Sequence, residues 1–386
     1  MLLTNVALVL PDRTVARGTL HVAGGVIADI EEADGPPSPV TVMPGFVDLH
    51  GDMIEVEVEP RPGVDFPMPV ALSALDTRLA AAGVTTAFAA VSYSRGATQG
   101  RPRSLTHTDT LIRAMHAARD TARVDHRIHA RFDITNTEAI ASLEGLLADG
   151  LIDLVSVMDH TPGQGQYRDI ERHIALRAAG RGIPLAEARA TVQADIDAAT
   201  PEADVLDNLR TVSALCRQHS IPLASHDDDT VEKAAFVAQL GAVISEFPVT
   251  REAAEAAVAE GLMTAMGAPN AMRGESYSGN LSARDTHDAG MLHILASDYH
   301  PHAILPAIRA LASADPGGVA AAVQLATANP ARAVGLGDRG RIAVGARADL
   351  VLVDSRDRVV MTLRGGEVIY TDGSIDPRQT DSSHQR

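Results

Sequence analysis

The 386-residue chain contains no tryptophan, one cysteine (Cys216), one lysine (Lys233) and only 3% aromatic residues. A lone cysteine excludes an internal disulfide framework and fits a reducing compartment; Cys216 reads as an inert core thiol rather than a nucleophile. With so few aromatic rings, the core must be filled by Ala, Val, Leu and Ile. Positive charge is also scarce, since the net charge is -17. Nucleic acid is therefore an unsuitable partner, because binding a phosphate backbone needs a basic surface that releases counterions. The opening segment MLLTNVALVL is apolar but has no basic flank or small-residue cleavage site, and it is too short to span a bilayer. It reads as a first strand, and the chain as a cytoplasmic protein with no membrane partner.

What is present is a repeated pattern. Eight short apolar runs occur at Val42–Asp48, Val84–Val91, Arg127–Ile134, Ile152–Met158, Pro222–Ser225, Ala242–Phe247, Leu262–Ala268 and Leu292–Ser297. Stretches rich in Ala, Leu and Arg with helical periodicity separate most of them. Eight strand-plus-helix units predict an α/β fold, a (β/α)8 TIM barrel, which uses roughly 250 residues and leaves room here for a modest second domain. Several runs end in acid or imidazole side chains: His50-Gly51-Asp52, Asp159-His160, His226-Asp227 and Ser297-Asp298. Catalytic groups of such barrels come from the C-terminal ends of different strands.

The two ends of the chain differ from its middle. Residues Leu2 to Asp29 alternate strand-like runs with turns, and Ala348–Val353 and Val359–Tyr370 do the same around Gly365-Gly366. Neither end can form a stable sheet alone, so residues 1–43 and 336–376 are expected to pair into one composite β-domain beside a barrel over 44–335. Residues 377–386 have the composition of a disordered tail. Between the fourth and fifth runs, 161–220 is longer than one barrel helix requires and predicts a helical insertion near Asp169–Ala179, Leu185–Ala198 and Ala203–His219. A lid, a homo-oligomer contact and extra helices packed outside are all consistent with it.

Alternation along a strand points His50 and Asp52 to one side, into the expected barrel mouth. Imidazole nitrogen with carboxylate oxygen suits Zn²⁺, Mn²⁺ or Fe²⁺, and His160 and His226 from other strands would complete one or two centres. The segment Met43-Pro44-Gly45-Phe46-Val47-Asp48-Leu49-His50 resembles the first-strand signature of the amidohydrolase superfamily. Many members bridge two metals with a carboxylated lysine on the fourth strand; Lys233 falls on a helix after the fifth, which excludes that bridge here.

Other segments are similar to one branch, the phosphonate-metabolism diphosphatases. They are Pro60–Asp65, Ser156–Gln164, Ala224–Asp228, Ser245–Pro248, Met266–Asn270 with Arg273-Gly274, Ser278–Asn280 and Ser297–Tyr299. The resemblance spans essentially the whole chain. It implies hydrolysis of a small phosphorylated sugar, α-D-ribose 1-methylphosphonate 5-triphosphate, to the 5-phosphate and pyrophosphate, with two divalent ions. It implies His50, Asp52, His160, His226, Asp298 and Glu246 as metal ligands, with Asp133 as a bridging carboxylate and Asp298 also taking a proton from the attacking water. Gly51 stands where the family commonly has Thr. Arg61, Gln164, Asn270, Arg273 and Asn280 are the expected substrate contacts, and Asp159 is expected to orient His160 or a neighbouring group.

Each residue also has a plainer reading. Asp298 is a suitable helix N-cap, Glu246 is equally an ion-pair partner for an arginine, and Asp227, Asp228 and Asp229 suit a helix N-terminus. His107, His116 and His129 read as packed or solvated. Two rival functions stay open: an amidohydrolase acting on a cyclic amide or amine, and a non-catalytic barrel subunit.

Overall fold

The computed structural model describes residues 1–61, 63–93, 105–276 and 279–375; Pro62, Arg95, Ser278 and 377–386 lie outside them. Four strands come first: β1 (Leu2–Val9), β2 (Thr14–Ala23), β3 (Val26–Glu32) and β4 (Val40–Pro44). Eight parallel strands follow: β5 (Phe46–Gly51), β6 (Val84–Tyr93), β7 (Asp125–Asp133), β8 (Leu154–Met158), β9 (Leu223–His226), β10 (Ala242–Glu246), β11 (Met263–Gly267) and β12 (Ile294–Ala296). The last three are β13 (Leu350–Asp354), β14 (Val359–Arg364) and β15 (Glu367–Thr371).

Strands β5 to β12 pair in sequence order, and the barrel closes where Gly51 bridges Asp298. At that seam the Asp298 amide donates to the His50 carbonyl at 2.9 Å, and the Asp52 amide to the Asp298 carbonyl at 2.7 Å. The buried Asp48 carboxylate accepts from the Ser297 amide at 2.8 Å. Closure therefore brings the first and eighth strand ends, the two most distant candidate segments, into hydrogen-bond contact.

The ends of the chain form one sheet in the order β15-β14-β13-β4-β1-β2-β3, with β13 antiparallel to β4. Neither terminal half has a core of its own: Leu3, Leu8, Leu20 and Ile27 bury against Leu350, Leu352 and Leu363. Gly365 and Gly366 turn β14 into β15 with φ of 56° and 79°, the left-handed pair that a two-residue hairpin needs and that glycine adopts without strain.

The expected first barrel strand, Val42–Asp48, is two strands. Val42 and Met43 belong to β4 in the composite sheet, and the barrel starts at Phe46. Gly45 makes the joint, because a Cβ there would stand 2.4 Å from Thr85 Cγ2 on the neighbouring strand.

The long segment after β8 has two parts. Helices Ile170–Arg181 and Leu185–Asp197 form a hairpin with its own small core of Ile174, Ala178, Ala188 and Val192. Helix Glu202–His219 instead buries Leu209, Val212 and Cys216 in the main core, as a barrel helix does. Burial raises the Cys216 thiol to about 12, which keeps it protonated and unreactive. Among the described residues no helix is long and apolar enough to cross a membrane.

Candidate active site

At the C-terminal end of the barrel lies a cavity of about 470 Å³, lined by His50, Asp52, Arg131, His226, Asp227 and Asp298, with Asn270 and Arg273 from the short helix Ala268–Arg273 and Asn280 from the segment after it. Three of the strand ends beneath it turn sharply. Asp227, Phe247 and Asp298 have φ of 57°, 55° and 57°, a left-handed conformation costly for residues with a Cβ and concentrated at functional sites. At Asp298 the seam hydrogen bonds hold this conformation in place.

His50 is the centre of the cluster. Its Nδ1 lies 2.8 Å from Glu246 Oε1 and its Nε2 lies 3.3 Å from Asp52 Oδ1. Neither contact has hydrogen-bond geometry: both ring nitrogens of His50, both of His226, Glu246 Oε2 and Asp227 Oδ2 are buried without a hydrogen-bond partner. Buried polar atoms in such numbers are rarely left unmatched. Two groups of potential donors each come within 4.8 Å of one another, His50 with His129 and Glu246, and His50 with Asp52 and Asp298. Mixed nitrogen and oxygen donors of this kind fit a divalent transition metal.

The protonation pattern follows from these contacts. Burial works against charge on His50, but the carboxylates of Glu246 and Asp52 outweigh it and raise the imidazole to about 10. Burial likewise opposes charge on Glu246, yet His50 beside it brings it down to about 2. Asp298 is pushed up by burial to about 6, with Asp52 adding to the effect. A carboxylate near neutrality, lining a pocket, suits proton transfer.

The remaining candidates divide between two chambers. His160 and Asp133 line a neighbouring cavity of about 410 Å³ with Tyr167, His173 and Arg177, beneath the helical hairpin. His160 stays near the first chamber, since its Nε2 is 4.0 Å from Asp227 Oδ2 and 3.3 Å from Gln166 Nε2. Asp133 Oδ1 accepts from the Thr135 amide at 3.0 Å and hydroxyl at 2.7 Å, and Asp133 belongs to neither donor group around His50. Asp159 accepts from the Thr161 amide at 2.9 Å and shapes the turn after β8. Gln164 is exposed at that turn, and Gln166, two residues on, lines the main cavity instead. Arg61 is exposed outside the lining, its backbone paired with Val64. Glu246 faces His50 and not an arginine. The three aspartates after β9 do not act together: Asp227 faces His226 at 3.1 Å, Asp228 accepts from the Ser225 and Ser245 hydroxyls at 2.5 and 2.6 Å, and Asp229 accepts from the Gly165 amide at 2.9 Å. Thr230 caps the helix that follows.

Two site residues were not expected. His129 is fully buried, with Nδ1 3.0 Å from the Leu49 carbonyl and Nε2 2.8 Å from the Ser156 hydroxyl and 3.8 Å from Glu246 Oε2. Desolvation lowers it to about 3, so it stays neutral. Arg131 donates from Nη1 to Asp52 Oδ1 at 2.8 Å. The signal was in the sequence: Asp125, Arg127, His129, Arg131 and Asp133 alternate along β7, and every second residue of a barrel strand points inward.

Residues 41–371 match the model of the Amidohydrolase family. The chain is 36% identical over 367 residues to the α-D-ribose 1-methylphosphonate 5-triphosphate diphosphatase of Escherichia coli (strain K12), covering 92% of this chain and 96% of that protein. Among solved structures it is similar to the N-acetylglucosamine-6-phosphate deacetylase of Thermotoga maritima, with TM-score 0.62, 17% identity, and coverage of 96% of this chain and 100% of that one. It is also similar to the 5-methylcytosine deaminase of Klebsiella pneumoniae, with TM-score 0.64, 15% identity, and coverage of 97% and 98%. At those identities the structural likeness speaks for the fold alone. A barrel with a composite end-to-end sheet, strand-end donors around His50 and a family match across most of the sequence lead to one assignment: the chain belongs to the amidohydrolase family.

Proposed function

We propose that the protein is a metal-dependent diphosphatase that hydrolyses α-D-ribose 1-methylphosphonate 5-triphosphate to the 5-phosphate and pyrophosphate. The observation that carries the metal dependence is the set of buried, unmatched donors around His50. His50, Asp52 and Asp298 would hold the metal, and His226 lines the same cavity beside them. A bound divalent cation supplies charge neutralisation on the phosphates and a more acidic water. The substrate follows the reaction named for the 36%-identical relative, whose match covers nearly all of both chains.

The chain's own residues account for the other requirements. Asp298, raised by burial, accepts the proton that the attacking water loses as its oxygen bonds to phosphorus and the bond between the α and β phosphates breaks. Pyrophosphate leaves with the bridging oxygen. Arg273 and the side-chain amides of Asn270 and Asn280 line the mouth above, where cationic and N–H donors suit the outer phosphates. The lining also includes Asp52, Asp227 and Asp298, so a polyanion enters favourably only with a cation present.

Purified protein, stripped of metal and then reloaded with Zn²⁺, Mn²⁺ or Fe²⁺, is expected to release pyrophosphate from the triphosphate only when loaded. Opening of a dihydropyrimidine ring with no pyrophosphate released would instead establish the cyclic-amide reading.

A further inference from the structure

We propose that the site takes one divalent ion per chain, and that Arg131 stands in for a second cation by contacting the substrate's phosphoryl oxygens directly. The inference rests on the metal-dependent phosphate reading above and deepens it.

His50 is shared between the two donor groups, one reaching Glu246 from Nδ1 and the other reaching Asp52 from Nε2. A neutral imidazole has one lone pair to give, so it can ligate an ion on one side only. The cavity decides which side: His50, Asp52 and Asp298 line it, whereas Glu246 and His129 do not. His129 already has both nitrogens in contact with oxygen partners. Three protein ligands with an open position is the arrangement of a catalytic metal site.

A fixed positive charge, Arg131, lines the cavity beside that position. A buried guanidinium is costly to desolvate and persists where paired. Arg131 is 7% exposed and uses Nη1 for Asp52. It makes no other hydrogen bond among the described residues, and its Nε is sealed from solvent without a partner. Arg131 nonetheless lines the cavity. The exposed part of the side chain is therefore the outer end of the guanidinium, where Nη2 has no hydrogen-bond partner among the described residues. Asp52 fixes one arm of the fork, which leaves the other arm as a preorganised donor for a phosphoryl oxygen next to Asp298. An arginine held in this way supplies the charge stabilisation that a second ion gives in two-metal phosphoryl transfer. Two further candidates for a second centre, Asp133 and His160, line the adjacent chamber.

Metal content and kinetics test this together, using the full-length protein and the variants Arg131→Lys and Arg131→Met. Elemental analysis after Co²⁺ loading and removal of excess metal is expected to give one ion per chain in all three. The visible spectrum of the Co²⁺-loaded Arg131→Lys protein should keep the wild-type band positions, because Arg131 is not a ligand. With pyrophosphate release as the readout, kcat is expected to fall about 10²- to 10³-fold in both variants, the loss typical of removing one preorganised donor at a developing charge. The failure of Lys to rescue reports the fork geometry rather than charge alone. Two tightly held ions per wild-type chain would overturn the one-ion claim, and unchanged kcat in Arg131→Lys would overturn the contact. If the wild-type protein releases no pyrophosphate, the diphosphatase reading fails, while the ion count, measured without substrate, still stands or falls separately.

Discussion

Replacing Asp298 with Asn removes the proton acceptor and one anionic metal donor while preserving the backbone and shape of that position. The Asp298 backbone lies at φ 57° and is held by its amide on the His50 carbonyl at 2.9 Å and its carbonyl on the Asp52 amide at 2.7 Å. Asparagine adopts the left-handed region readily and has the same shape, so the barrel seam should survive the change. The amide cannot accept the proton. General acid–base catalysis contributes about 10²- to 10⁴-fold, or about 3–5 kcal/mol of barrel-mouth barrier lowering. Asp298→Asn is therefore expected to lose that factor in kcat when assayed for pyrophosphate release at metal concentrations that saturate the variant, with an unfolding midpoint close to wild type. Full turnover at saturating metal would remove Asp298 from proton transfer. A collapsed midpoint would mean that the side chain is structural.

Arg273→Ala, which deletes a cation from the cavity wall, should raise KM about 10- to 100-fold and lower kcat less, as expected for losing a charged hydrogen bond. Arg61→Ala, outside the lining, should change KM far less. Gly45→Ala would place a Cβ 2.4 Å from Thr85 Cγ2 and 2.5 Å from its Oγ1. It should destabilise by about 1–3 kcal/mol in denaturant melts, with partial rescue by Thr85→Ala. Asp76 accepts from the Val124 and Arg123 amides at 3.0 Å and lies 2.9 Å from His126 Nε2. Burial pushes its carboxyl up, but His126 and those amides hold it below its ordinary 3.8. A depressed carboxyl stabilises the fold above its ordinary pKa and loses that contribution as pH falls through the folded value. Asp76→Asn should accordingly cost about 2 kcal/mol at neutral pH, with the difference from wild type shrinking in melts taken below about pH 4.

The architecture was legible because strand and helix periodicities differ and the barrel repeats them eight times. The composite sheet was legible because neither terminal half could bury its apolar face alone. The strand-end residues His50, Asp52, His226 and Asp298 stood out for the same reason, as polar groups closing apolar runs. What escaped lay inside a strand or depended on loop geometry. His129 and Arg131 sit mid-strand, where an inward polar residue looks like a packed one until the opposite strands are in place. Gln166 displaced Gln164 because the turn after Asp159 rotates the chain between them. Asp133 has the right alternation to point inward, but Thr135 donates twice to its Oδ1, and no sequence spacing reveals that local contact.

The most direct measurement is ³¹P NMR of α-D-ribose 1-methylphosphonate 5-triphosphate incubated with metal-loaded protein, beside a chelator-stripped control. The account predicts resonances of pyrophosphate and the ribose 5-phosphate, the methylphosphonate signal retained, and an unchanged spectrum in the control. An intact triphosphate with loaded protein, or orthophosphate with a 5-diphosphate in place of pyrophosphate, would contradict it.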